Sequence, residues 1–161
     1  MRYLLVGYGN PLRSDDGVGP VVARRFLDEA EALMGEAAKE VRVIAVPQLV
    51  PELAEAFSEA ERVVLVDASR GEAPGVIRVR RVEPSAATGE PMIHAYDPST
   101  LSAWAAKLYG RAPEMHVVAV GAETFAFGEG LSPDVAAAVP EILNTVAGLF
   151  REDWPDGAEA P

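Results

Sequence analysis

The chain has 161 residues, 49% of them hydrophobic, with no cysteine and a formal net charge of -11. That length suits one domain with a real core, and the hydrophobic fraction excludes disorder for its body. The acidic balance argues against nucleic acid and anionic membrane surfaces as partners, and the missing thiols exclude disulfide scaffolds, thiolate zinc sites, iron–sulfur clusters and cysteine nucleophiles.

A first strand, Tyr3-Leu4-Leu5-Val6, begins two residues from the amino terminus with no signal-like apolar region before it. No apolar run approaches the ~20 residues that span a bilayer, so cytoplasmic residence is expected. The strand enters a glycine-rich turn, Gly7-Tyr8-Gly9-Asn10-Pro11-Leu12-Arg13-Ser14-Asp15-Asp16-Gly17-Val18-Gly19. An amphipathic helix is predicted from Asp16 to Met34, with Val18, Val21, Val22, Leu27, Ala30 and Met34 at helical spacing and Gly35 closing it.

Val41 to Val46 is a second strand, stopped by Pro47, and Pro51 opens a short helix through Leu53, Ala54 and Phe57. Val63-Val64-Leu65-Val66 is the continuous apolar run of a central strand, ending at Asp67. After a turn at residues 71–75, Val76 to Arg80 alternates as a half-exposed strand. The turn is too short for a crossover helix, which predicts a strand antiparallel to its predecessor and hence a mixed sheet. Residues 84–91 form a loop, and His94 lies near its end. Asp97-Pro98-Ser99-Thr100 starts a helix with Leu101, Trp104, Ala105 and Leu108 as its buried stripe. Met115 to Val120 is the last strand. Leu131-Ser132-Pro133-Asp134 caps a final helix that buries Val135, Val139, Ile142, Leu143, Val146 and Phe150 and is interrupted at Pro140. One α/β domain over 1–150 and a frayed polar tail over 151–161 follow.

Three groups fall where α/β sheets place their ligands: Asp16 after the first strand, Asp67 ending the third, and His94 before a helix. Two carboxylates and an imidazole make a borderline-hard divalent site open to nickel, zinc, manganese or cadmium. Each member has a plainer reading. Asp15 suits a helix cap, Asp16 could complement the helix dipole, and a lone loop histidine is commonly solvated. Asp67 is harder to dismiss, because a carboxylate at the end of a core strand is costly unless something pairs it. His116 opens the last strand and reads as structural. The turn matches only two glycines of a dinucleotide fingerprint, its acids would repel a pyrophosphate, and the P-loop lysine is missing. No serine sits in a Gly-x-Ser-x-Gly elbow.

Over nearly its whole length the chain resembles the hydrogenase maturation proteases, which remove a carboxy-terminal extension from the large subunit of nickel–iron hydrogenases. The anchors are Gly7 to Leu12 with Asp15 to Gly19, Val66-Asp67-Ala68 with Pro74-Gly75, His94, Gly121 to Gly128, and Leu131 to Val135. The resemblance implies a three-layer α/β/α domain, phosphorylase/hydrolase-like, on a mixed five-stranded sheet with one antiparallel strand. It implies Asp16, Asp67 and His94 as metal ligands, with nickel brought by the substrate and cadmium or zinc able to substitute in vitro. Asp16 is the expected general base. The implied partner is a hydrogenase large-subunit precursor, and a monomer is favoured.

One departure stands out. Where many members carry an Asp-Gly-Gly-Thr-like segment, this chain reads Ala45-Val46-Pro47-Gln48-Leu49-Val50-Pro51-Glu52-Leu53, with Gln48 expected to face the cleft. That change bears on which precursor is recognised. It also keeps a rival function in view, a non-catalytic metal- or precursor-sensing maturation chaperone. A small-molecule hydrolase on the same architecture rests on fold analogy alone.

Overall fold

The computed structural model describes residues 1–85 and 97–151. Strands β1 (Tyr3–Tyr8), β2 (Val41–Val46), β3 (Arg62–Ser69), β4 (Ile77–Val82) and β5 (Glu114–Gly121) form one sheet in the order β2-β1-β3-β5-β4. β4 runs antiparallel to β5, and every other pairing is parallel. Among the described residues, four α-helices complete it: α1 (Val18–Met34), α2 (Leu53–Glu59), α3 (Pro98–Tyr109) and α4 (Pro133–Phe150).

The alternation of side chains along the strands divides the core in two. Leu5, Val64, Val66, Val118 and Val120 pack with Val22 and Phe26 of α1 and Ile142 and Val146 of α4. Leu4, Val6, Leu65, Met115 and Val117 pack with Phe57 of α2 and Leu101 of α3. The domain is therefore the expected three-layer α/β/α sandwich on a mixed sheet. Among the described residues, no helix is long and apolar enough to cross a membrane.

Several elements differ from expectation in detail. α1 begins at Val18, because Ser14–Gly17 forms a separate 3-10 turn. Its buried stripe is Val18, Val22, Phe26 and Met34, four residues apart at first, while Leu27 points away at 61% exposure. In α3 the stripe turns through Leu101 and Ala105, leaving Leu108 60% exposed. The predicted start of α3 is correct: Asp97 accepts the Thr100 backbone N–H at 2.7 Å. α4 runs as one helix across Pro140, so the interruption expected there does not occur; the proline lies on the exposed face. β3 continues past Asp67 to Ser69. β4 does run opposite to β3, yet it pairs with β5, which separates the two. Exposed Arg78, Arg80 and Arg81 suit β4 to an edge, whereas β5 is buried along most of its length. Except for Arg151, the expected tail lies outside the described residues.

One glycine governs how α1 meets the sheet. A Cβ at Gly19 would lie 2.5 Å from the Val66 carbonyl oxygen and 2.6 Å from the Tyr8 backbone nitrogen and oxygen. Only a bare backbone lets the first turn of α1 sit against the ends of β1 and β3.

Candidate functional site

The β1–β3 register pairs Gly7 with Val66, so the next residues, Tyr8 and Asp67, emerge side by side at the carboxyl ends of two parallel strands. Alternation from Leu4 and Val6, and from Val63 and Leu65, directs both toward the α2–α3 face. The Tyr8 hydroxyl donates a hydrogen bond to the Asp67 carboxylate. Burial pushes the Asp67 carboxyl up to about 6; the Tyr8 bond, the Ala68 backbone N–H and Arg80 oppose that rise, and the negative Asp16 adds to it. Burial, and then the neighbouring Asp67, push the Tyr8 phenol upward, so it remains a protonated donor.

Asp16 reaches the same place from the 3-10 turn. Its Oδ2 accepts the Asn10 backbone N–H at 2.7 Å, which ties the acid to the glycine-rich loop. Gly9, at φ +143°, crosses so close to the Asp16 carbonyl oxygen that any side chain there would collide with it. Two clefts of about 560 Å³ and 580 Å³ share Tyr8, Asp16, Asp67 and Arg80 in their walls. Arg13, Arg70 and Phe125 extend the first. Pro47, Gln48 and Asp97 extend the second, so the proline-bounded loop does bring Gln48 to the cleft.

Asp15 has a different role from the cap expected of it. It is fully buried and makes no capping bond to α1. Its Oδ2 accepts from the Glu123 backbone N–H (2.9 Å), the Thr124 backbone N–H (3.3 Å) and the Ser132 hydroxyl (2.8 Å), and its Oδ1 accepts the Ser132 backbone N–H at 2.8 Å. Burial alone would raise this carboxyl, but the bonds from Ser132, Glu123 and Thr124 outweigh it and hold the acid below its ordinary value. The clasp binds the loop over 122–132 to the glycine-rich turn. Further bonds run alongside: Ser14 N–H to the Gly128 carbonyl at 2.9 Å, Ser14 hydroxyl to the Ala126 carbonyl at 2.7 Å, and Gly128 N–H to the Leu12 carbonyl at 2.9 Å.

Of the three ligands implied for a metal, Asp16 and Asp67 come together, while His94 lies outside the described residues. Among the described residues, no group of three His, Cys, Asp or Glu side chains could hold a metal ion. The donors in view are two carboxylates, hard oxygen ligands of the kind that suit a divalent cation. His116 is 7% exposed within β5, consistent with a structural role. Sequence reading passed over Tyr8, Arg13, Arg70, Arg80 and Phe125 as cleft residues. The alternation Leu4, Val6, Tyr8 was a usable signal for the first; exposed arginines carry no local pattern.

No family model and no curated protein matches the sequence. Among solved structures, a [NiFe] hydrogenase maturation protease, HycI, from Thermococcus kodakarensis superposes with a TM-score of 0.69 at 19% identity, over 94% of this chain and 93% of that one. The hydrogenase maturating endopeptidase HybD from E. coli gives 0.67 at 24% identity, over 100% and 98%. An endopeptidase from Escherichia coli, solved in solution, gives 0.72 at 22% identity, over 100% and 98%. The chain shares their fold across essentially its full length.

Proposed function

We propose that this chain is an endopeptidase that removes the carboxy-terminal extension of a nickel–iron hydrogenase large-subunit precursor, reading the nickel already in that precursor as its signal. The observation that carries the reading is the convergence of Asp16 and Asp67 in one cleft, at the ends of adjacent parallel strands, on a fold shared with proteins of that activity. The nickel belongs to the substrate. Asp16, Asp67 and His94 are the groups that would hold it, two carboxylate oxygens and one imidazole nitrogen. The Tyr8 hydroxyl orients Asp67 and stays out of proton transfer because its own proton is held tightly. Asp16 is tied down by one backbone N–H and opens onto the cleft, which suits it to accept a proton from an attacking water. The enzyme acts in the cytoplasm, as a monomer.

Mixing the purified chain with nickel-loaded large-subunit precursors and weighing the products by mass spectrometry tests the reading directly. A shortened precursor is the expected result. Stable binding with no shortening across several precursor types would replace it with the chaperone role. Cadmium serves as a probe of the free chain. Because burial places the Asp67 proton at about 6, cadmium affinity should fall by about tenfold or more for each pH unit below that value, measured by calorimetry. Affinity flat between pH 5 and pH 7 would remove Asp67 from the ligand set.

A further inference from the structure

We infer that the cleft contains a carboxylate-binding subsite, built from the guanidinium groups of Arg13 and Arg70 around Phe125, that takes an acidic group of the substrate peptide. That the ligand is a peptide rests on the function proposed above; the anion chemistry stands on the side chains alone. In a chain of net charge -11, three of the fourteen Lys and Arg residues, Arg13, Arg70 and Arg80, line the first cleft. Arg2, Arg25, Arg62, Arg78 and Arg81 each pair with a glutamate. Among the described residues, no salt bridge joins Arg13, Arg70 or Arg80 to an acid. The cleft's own acids are Asp16 and Asp67, and Arg80 is the guanidinium felt by Asp67.

Phe125 holds the other two in place. Its carbonyl accepts the Arg13 Nε–H at 3.2 Å, and its ring lies under the Arg70 guanidinium carbon at 3.9 Å. The Arg13 guanidinium also lies 5.3 Å from the centre of the Phe127 ring. A guanidinium stacked on an aromatic face keeps its in-plane N–H donors free, the geometry that receives a planar carboxylate through two parallel bonds. Stacking also removes rotamer freedom before any ligand arrives, so less is lost on binding. Phe125 is itself on the loop clasped by Asp15, which makes the subsite a fixed part of the fold. Asp16 and Asp67 in the same cleft disfavour a dianion, so a monoanionic carboxylate fits where a phosphate does not.

The carboxylate can come from an acidic side chain or from a chain terminus, and the test separates them. The full chain is titrated, by NMR, with short blocked alanine peptides carrying one central glutamate or one central glutamine, and with the glutamine peptide bearing a free carboxyl terminus. The glutamate peptide should bind about tenfold more tightly than its blocked glutamine counterpart. Arg70→Gln should erase that preference and Arg70→Lys should restore only part of it, since a lysine keeps the charge without the fork. If the free-terminus peptide binds as well as the glutamate peptide, the terminal carboxylate is an equally good source. Arg70 is exposed, and unchanged thermal unfolding of each variant checks that the fold is intact. Equal affinity for glutamate and glutamine peptides, or displacement of the glutamate peptide by an equal concentration of inorganic phosphate, overturns the subsite. Precursor shortening is scored separately. A glutamate preference without shortening removes the peptidase reading and keeps the subsite; shortening without the preference does the reverse.

Discussion

Asp16→Asn is expected to leave the fold standing and to slow the shortening of a nickel-loaded precursor by on the order of 10²–10⁴-fold, the range for loss of a positioned acid or base. The Asp16 carboxylate accepts one backbone hydrogen bond, from Asn10, and an asparagine oxygen can take the same bond. What the amide cannot do is accept a proton at neutral pH or present a charged oxygen to a cation. The melting temperature should therefore stay within about 2 °C of the parent, a change of no more than ~1 kcal/mol. Shortening at the parent rate would show that Asp16 is neither base nor ligand.

Its neighbour should behave in the opposite way. Asp15→Asn is expected to cost about 3 kcal/mol or more and lower the melting temperature by about 10 °C, read by calorimetry. The carboxylate accepts four bonds from three residues of the loop over 122–132, the last of which, Ser132, is the N-cap of α4. An asparagine must turn its amide toward at least one of those backbone N–H groups, so a donor faces a donor at a fully buried position. The pH dependence gives a second handle. The native Asp15 is held below the ordinary carboxylate value, so its stabilisation is complete above about 4 and is lost as pH falls toward the lowered native value. The stability gap between parent and variant should accordingly narrow below pH 4. A gap independent of pH would mean that the charge of Asp15 contributes nothing.

These adjacent acids also show what sequence reading can reach. Strand and helix order was legible because periodicity and chain punctuation are local: β2 was predicted at its observed bounds, and all six residues expected on the buried face of α4 are buried. The meeting of Asp16 with Asp67 was legible through topology, since a central β1 makes the ends of β1 and β3 neighbours. Asp15 was misread as a cap because its partners lie 108 to 117 residues away, and nothing local distinguishes an acid facing its own helix from one facing a distant loop. Leu27 and Leu108 were misplaced for a related reason. A hydrophobic residue at one edge of a stripe turns in or out according to the neighbour that packs there, which here favours Phe26 and Ala105. The Arg13–Phe125–Arg70 arrangement joins three segments and leaves no trace in any one of them.

The position of β5 sets an order of events for the newborn chain. β5 is last of the strands to be synthesised, yet it must enter between β3 and β4, and the Asp15 clasp closes only when Ser132 has followed it. Until then the amino-terminal acids are present with no wall opposite them. Contacts between segments so far apart in the chain form late and slowly compared with helical turns. A growing polypeptide therefore carries the Asp16–Asp67 pair as bare chemistry from the synthesis of Asp67 until β5 and Ser132 follow, and only then acquires the surroundings that could direct it.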